Sequence, residues 1–217
     1  MKPIHIVILA KAPQPGRVKT RLIPALGAHR AARLAHHMLQ HTLQQALQAQ
    51  IGPVELCADP ALTEHAWSAV VLPAAIAVSE QGQGDLGRRL AQAVRQHTQA
   101  GASVLLIGTD CPDLDAMTLQ RSAQSLKEHD AVMIPAFDGG YVLLGLHEYH
   151  PSLFEDMAWS TPHVAHETQA RLHALDLSLA ILPKLHDIDE SADLTHLPET
   201  WRDIFIPGEP SFCKKNG

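Results

Sequence analysis

Short, unbroken apolar runs recur along this chain, with helix-patterned stretches between them. The clearest are Ile4-His5-Ile6-Val7-Ile8-Leu9, Val54 to Ala58 and Ser103-Val104-Leu105-Leu106-Ile107. Ala131 to Ile134, Tyr141 to Leu144 and Leu179 to Leu185 follow, and Val70 to Val78 is a less regular candidate. A strand wetted on one face alternates apolar and polar residues; one covered on both faces does not. Helical periodicity runs over Ala28–Gln48, Leu86–His97, Ala116–Glu128 and Pro162–Leu175. In the first helix Ala31, Leu34, Ala35, Met38, Leu39, Leu43, Ala46 and Leu47 form one apolar face; His36, His37 and His41 lie opposite. The alternation predicts an α/β fold, a three-layer α/β/α sandwich around a mostly parallel mixed sheet. One domain over 1–205, with a tail at 206–217, accounts for the whole pattern.

Composition narrows the function. Lys and Arg number 17 against 23 Asp and Glu, a net charge of −6, which excludes a non-specific nucleic-acid coat. Hydrophobic residues make up 46% of the chain, too many for global disorder. The apolar start, Ile4 to Ala10, is too short to span a bilayer and runs into Lys11 rather than a small-residue cleavage site. Cys57, Cys111 and Cys213 are odd in number and widely spaced, which suggests neither a disulfide framework nor a zinc site. The expectation is a cytoplasmic protein with no membrane or nucleic-acid partner.

In parallel sheets ligands sit beyond the carboxyl ends of the strands, so the loops there are the candidates. The first, Lys11 to Arg21, places Lys11, Arg17, Lys19 and Arg21 around Gly16. Glycine lets a backbone approach a phosphate, and Lys and Arg supply charge-assisted donors. The Walker A spacing is absent, and a solvated basic turn is the plain alternative. The second loop is Gly108-Thr109-Asp110-Cys111-Pro112-Asp113-Leu114-Asp115. Asp110, at a strand's carboxyl end, suits a hard divalent cation such as Mg2+ or Mn2+, whereas Asp113 or Asp115 suits a helix cap. Asp138-Gly139-Gly140-Tyr141 reads as a hairpin turn or a close ligand approach. His186 to Glu190 offers Asp187 and Asp189 on one side by alternation, with helix capping as the alternative. Gly84-Asp85-Leu86-Gly87-Arg88-Arg89 is a glycine-rich entry to a helix that suits a base or ribose. Ser160 and Thr161 before Pro162 read as a helix start. His37 and His41, four apart, lack the glutamate of a zincin helix and read as surface residues.

Taken together, Lys11 to Leu22, Gly84 to Gly87 with Arg89, Gly108 to Leu114, Asp138 to Tyr141, Trp159 to Thr161 and Asp187 to Asp189 resemble a bacterial GT-A-fold family. Its members are labelled glycosyltransferases, some linked to arsenosugar biosynthesis, and the fold is similar to molybdenum-cofactor and 2-phospholactate guanylyltransferases. The resemblance implies a nucleotide-diphospho-sugar transferase fold. It places nucleotide at Lys11, Gly16, Arg17, Lys19, Arg21, Gly84, Asp85 and Arg89, and metal at Asp110 and Asp189. The small-molecule acceptor falls near Gly139, Gly140, Tyr141, Ser160 and Thr161, with Asp138 as base. Ile134 and Phe137 depart from the family pattern, on the acceptor side. Metal-dependent glycosyl transfer from a nucleotide-diphospho-sugar is the first expectation. Nucleotidyl transfer from a nucleoside triphosphate, with loss of pyrophosphate, is the second, and a non-catalytic nucleotide-binding module the third. A homodimer is compatible with each.

Overall fold

A computed structural model describes residues 2–63 and 65–206. Cys213 and all but the first residue of the 206–217 tail lie outside them. In chain order the elements are β1 (Ile4–Lys11), α1 (Ile23–Leu26), α2 (Ala28–Gln48), β2 (Val54–Asp59), β3 (Ile76–Glu80), α3 (Leu86–Gln99) and β4 (Ser103–Ile107). Then come α4 (Ala116–Glu128), β5 (Ala131–Pro135), β6 (Tyr141–Leu146), α5 (Val164–Ala174), β7 (Leu179–Ile181) and α6 (Glu199–Phe205). The strands form one sheet in the order β3-β2-β1-β4-β6-β5-β7. Only β6 runs against the others, pairing antiparallel with β4 and β5. The expected α/β fold with a mostly parallel mixed sheet is what forms.

The unbroken apolar strands are explained by cover on both faces. On one side Leu39, Leu43 and Ala46 of α2 and Leu119, Ala123 and Leu126 of α4 pack on Ile6, Ile8, Leu56, Leu105 and Ile107. On the other, Leu90 and Val94 of α3 and Ala165 and Leu172 of α5 pack on Val7, Val104, Leu106, Met133 and Leu144. Burial of this kind contributes about 1.5–3 kcal/mol per large side chain.

Helix α2 departs from the single apolar face expected of it. Leu39 and Leu43 meet the sheet, whereas Ala31, Leu34 and Met38 join a third cluster with Leu22, Ile188, Trp201 and Phe205. His37 and His41, expected at the surface, are therefore half-covered. Their rings stand edge-on to Trp201 at 4.4 Å and 5.0 Å, and His41 Nε2 donates to the Pro112 carbonyl at 3.0 Å.

Two strand expectations shrink. The candidate at 70–78 becomes Ile76–Glu80, and that at 179–185 stops at Ile181, with Leu185 returning as a lone bridge to Ala136. Pro73 and Pro183 lack the N–H a ladder needs. Helix α5 begins at Val164, two residues after the expected Pro162.

Register sets the edge that matters. Lys11 lies beside Asp59, and Ile8 beside Ile107, so the loops after β1, β2 and β4 leave the sheet together. Because β6 is reversed, the Ala136–Gly140 turn that feeds it lies at this edge too. The 185–190 segment, running parallel beside β5, arrives there as well.

Candidate active site

The basic loop enters the site through a strained residue. Lys19 is in the left-handed region, φ 47° and ψ 44°, at a cost of ~1–3 kcal/mol for a side chain other than glycine. Buried Val18 and Leu22 anchor the chain on either side and hold it there. The lysine side chain is only 5% exposed. Its Nζ lies 3.0 Å from Asp110 Oδ1 and 3.6 Å from Asp189 Oδ1. Neither contact is aligned as a hydrogen bond, so the buried ammonium has no satisfied donor. Arg21, more exposed, donates from Nη1 to Asp189 Oδ2 at 2.7 Å and lies 3.6 Å from Glu190 Oε1.

Asp189 reaches Lys19 because its segment is pinned. Ile188 is fully buried, and its N–H donates to the Asp110 carbonyl at 2.8 Å. The following helical turn takes its capping box from Glu190 and Asp193, with Asp193 Oδ2 accepting from the Asp189 and Glu190 N–H groups. Asp187 and Asp189 are therefore not the caps. Likewise Asp115 caps α4, accepting from the Thr118 N–H at 2.8 Å, which leaves Asp110 uncommitted to the helix.

Asp187, half-buried, belongs to the same cluster. Burial, with the Asp138 carboxylate beside it, pushes its carboxyl up to about 6; Lys19 opposes the rise and Asp110 adds to it. The HDIDE alternation was the signal for it. Asp138 is exposed at the turn before β6, with Oδ1 accepting from the Gly140 N–H at 2.7 Å. Burial pushes the Cys111 thiol up to about 12, which leaves it an inert packing group.

Other expected residues are dispersed. Lys11, Gly16 and Arg17 are exposed, and among the described residues neither Lys11 nor Arg17 forms an ion pair. Asp85 caps α3, accepting from the Arg88 N–H at 2.9 Å. Arg89 is tied to Asp59 Oδ2 at 2.6 Å, to Gln81 and to the Gly84 carbonyl. Arg88, one position earlier, instead lines a groove of about 610 Å³ with Arg95, Tyr149, Phe154 and Trp159. Tyr141 buries its hydroxyl without a hydrogen-bond partner. Ser160 has φ 61°, and the Thr161 hydroxyl donates to the Ala158 carbonyl at 2.8 Å. This segment packs on the Asp138 turn: a Cβ on Gly139 would lie 2.1 Å from the Pro162 carbonyl oxygen, and the Ala165 N–H donates to the Gly139 carbonyl.

The donor chemistry fits a hard divalent cation. Two carboxylates, Asp110 and Asp189, are already near enough to share one cationic nitrogen, and oxygen ligands of this kind are what Mg2+ and Mn2+ take. Among the described residues, however, no three His, Cys, Asp or Glu side chains converge as a ready ligand set. The position between the two carboxylates belongs to Lys19.

Comparison with other proteins agrees with the fold. Residues 42–161 match the profile of DUF2064, described as an uncharacterized protein conserved in bacteria. A protein from Desulfovibrio desulfuricans G20, provisionally described as a nucleotide-diphospho-sugar transferase, is 30% identical with a TM-score of 0.83, over 93% of this chain and 91% of that one. Rv0371c from Mycobacterium tuberculosis H37Rv, in complex with manganese, is 18% identical with a TM-score of 0.54, over 92% of this chain and 100% of that one. A cytidylyltransferase from Leptospira borgpetersenii is 13% identical with a TM-score of 0.52, over 97% and 99%. At such identities the last two show a shared fold. No curated protein matches the sequence. Among the described residues, no helix is long and apolar enough to cross a membrane.

Proposed function

Since the chain belongs to the DUF2064 family of bacterial proteins and has the nucleotide-diphospho-sugar transferase fold, we propose that it is a metal-dependent glycosyltransferase. Its donor is a nucleotide-diphospho-sugar and its acceptor a small molecule bearing a hydroxyl. The observation that carries this reading is the buried Lys19 ammonium between Asp110 and Asp189, at the edge where α/β sheets bind ligands.

Each part of the edge has a task. Lys11, Arg17, Lys19 and Arg21 bind the diphosphate, through charge-assisted bonds to oxygens that gain charge as the sugar departs. Gly16, with φ +78°, permits a turn that brings backbone to phosphate. A divalent cation on Asp110 and Asp189 would supply Lewis-acid stabilisation to the leaving nucleoside diphosphate. Asp138 Oδ1 is held by the Gly140 N–H, and its other oxygen is free to take the acceptor hydroxyl's proton. An acceptor hydroxyl suits this side of the site better than an acceptor phosphate, which Asp138 and Asp187 would repel.

Nucleotidyl transfer is the second reading. Four basic side chains on one loop suit a triphosphate, and pyrophosphate would then be the leaving group. A panel of nucleoside triphosphates and nucleotide-sugars, incubated with Mg2+ or Mn2+ and assayed for released nucleoside diphosphate or pyrophosphate, separates the two. Nucleoside diphosphate from a nucleotide-sugar supports glycosyl transfer; pyrophosphate from a triphosphate overturns it. Metal-dependent binding with neither product assigns a binding module.

A further inference from the structure

Lys19 combines features that a lysine tied up in an ordinary ion pair does not have. It is 95% buried, its backbone is strained, and its ammonium lies between two carboxylates without aligned hydrogen bonds to either. A buried charged donor left without aligned hydrogen bonds is destabilising. The strained backbone and the missing hydrogen bonds fall on one residue, whose ammonium is aimed at Asp110 and Asp189.

We propose that Lys19 occupies the seat of the divalent cation, so that ammonium and cation compete for the Asp110–Asp189 pair. The cation then enters with high affinity only when Lys19 is drawn away onto the phosphates of the nucleotide. This rests on the proposed function for the identity of the phosphate ligand, but the competition belongs to the apo site. The two carboxylates lie 3.0 Å and 3.6 Å from the ammonium, and among the described residues no third ligand joins them in a ready set. Arg21 takes Asp189 Oδ2 whereas Lys19, which also meets Asp110, lies against Oδ1, so displacing Lys19 is the step that opens the seat. Because such coupling is reciprocal, cation and nucleotide would each tighten the other by the same factor.

The decisive measurement is Mn2+ affinity without nucleotide, read by loss of the free Mn2+ signal in electron paramagnetic resonance. Lys19→Met is expected to bind Mn2+ at least tenfold more tightly than the wild type, and Asp110→Asn in that background to abolish the gain. Equal or weaker Mn2+ binding by Lys19→Met, with its circular dichroism unchanged, overturns the proposal. If Lys19→Met does not fold, Lys19→Gln carries the same expectation, since it also removes the charge. A parallel thermal shift of the wild type with Mn2+ plus UDP or GDP, the full nucleotide panel extending it, keeps the two ideas apart. No shift with any nucleotide removes the nucleotide-transferase reading, whereas an unchanged Mn2+ affinity on losing Lys19 removes only the competition.

Discussion

A single buried methylene stem, that of Lys19, carries charge from the basic loop into the acidic cluster, and the residues around it differ in what they contribute. Asp110 and Asp189 share its ammonium, and Asp187 is held against Asp138 at a cost. The sign of that cost follows from its direction. The Asp187 carboxyl titrates at about 6 in the folded state against a usual 3.8, so the native protein keeps its proton longer than the unfolded chain. The penalty is absent below about pH 4, grows between the two values, and is complete above about pH 6. Asp187→Asn should therefore raise Tm by ~2–4 °C at pH 7.5, the shift that ~1 kcal/mol produces in a chain of this size, and leave it unchanged at pH 4. Melting curves at the two pH values check this. A group that costs stability where the cluster meets solvent is a mark of a site rather than of a scaffold. Asp110→Asn should lose the metal-dependent response to nucleotide altogether, with the fold retained, as read by thermal shift with and without Mn2+.

Among the elements, helix α3 does two things at once. Its inner face packs on the sheet, and it also carries His97, 6% exposed, whose Nε2 lies 3.1 Å from Glu55 Oε2 of β2. Hydrogen bonding to Glu55 raises the His97 pKa against the opposing effect of burial, while the bond to His97 lowers that of Glu55. The histidine's contribution is full below its unfolded pKa near 6.5 and is lost as pH rises through the higher folded value. The glutamate's is present above about 4.5 and is lost as pH falls through its folded value. The pair is thus worth most in mildly acidic solution. His97→Gln should destabilise by ~1–3 kcal/mol at pH 6 and by less at pH 8.5, measured by urea denaturation at both. The turn before β6 makes a second demand. Gly139, φ +94° and backed by Pro162, has no room for a side chain, so Gly139→Ala should destabilise by ~2 kcal/mol or more and pull the Asp138 turn off the 158–162 segment. Chemical denaturation gives the first number, and the response to nucleotide reports the second.

For the whole molecule, the two main clusters share every central strand, so the described residues should unfold as one cooperative unit. We propose one domain over 1–205 on that ground. A single calorimetric transition is expected, moved upward by ~5–10 °C when the preferred nucleotide and Mn2+ are present at about 100 times the dissociation constant. Two transitions, only one of them sensitive to ligand, would contradict the single-domain proposal.

How much of this could be read from the chain depends on how local each cause is. The strands at Ile4–Leu9 and Ser103–Ile107 and the helices at 28–48 and 116–128 rest on short-range patterns, so the sequence determined them; it offered Asp113 or Asp115 as a cap, and the structure selects Asp115. The three acidic and basic loops were recognisable by residue type and by their place after buried strands, where α/β sheets bind ligands. What the sequence could not decide was distance across the sheet. Lys19 meeting Asp189 depends on a backbone bond between Ile188 and Asp110, far apart along the chain, and on Leu185 running parallel beside Ala136. The same holds for Arg89, expected at the nucleotide and found paired with Asp59, while Arg88 lines the groove. One step along a helix turns a side chain through about 100°, and only tertiary packing decides which neighbour it then meets.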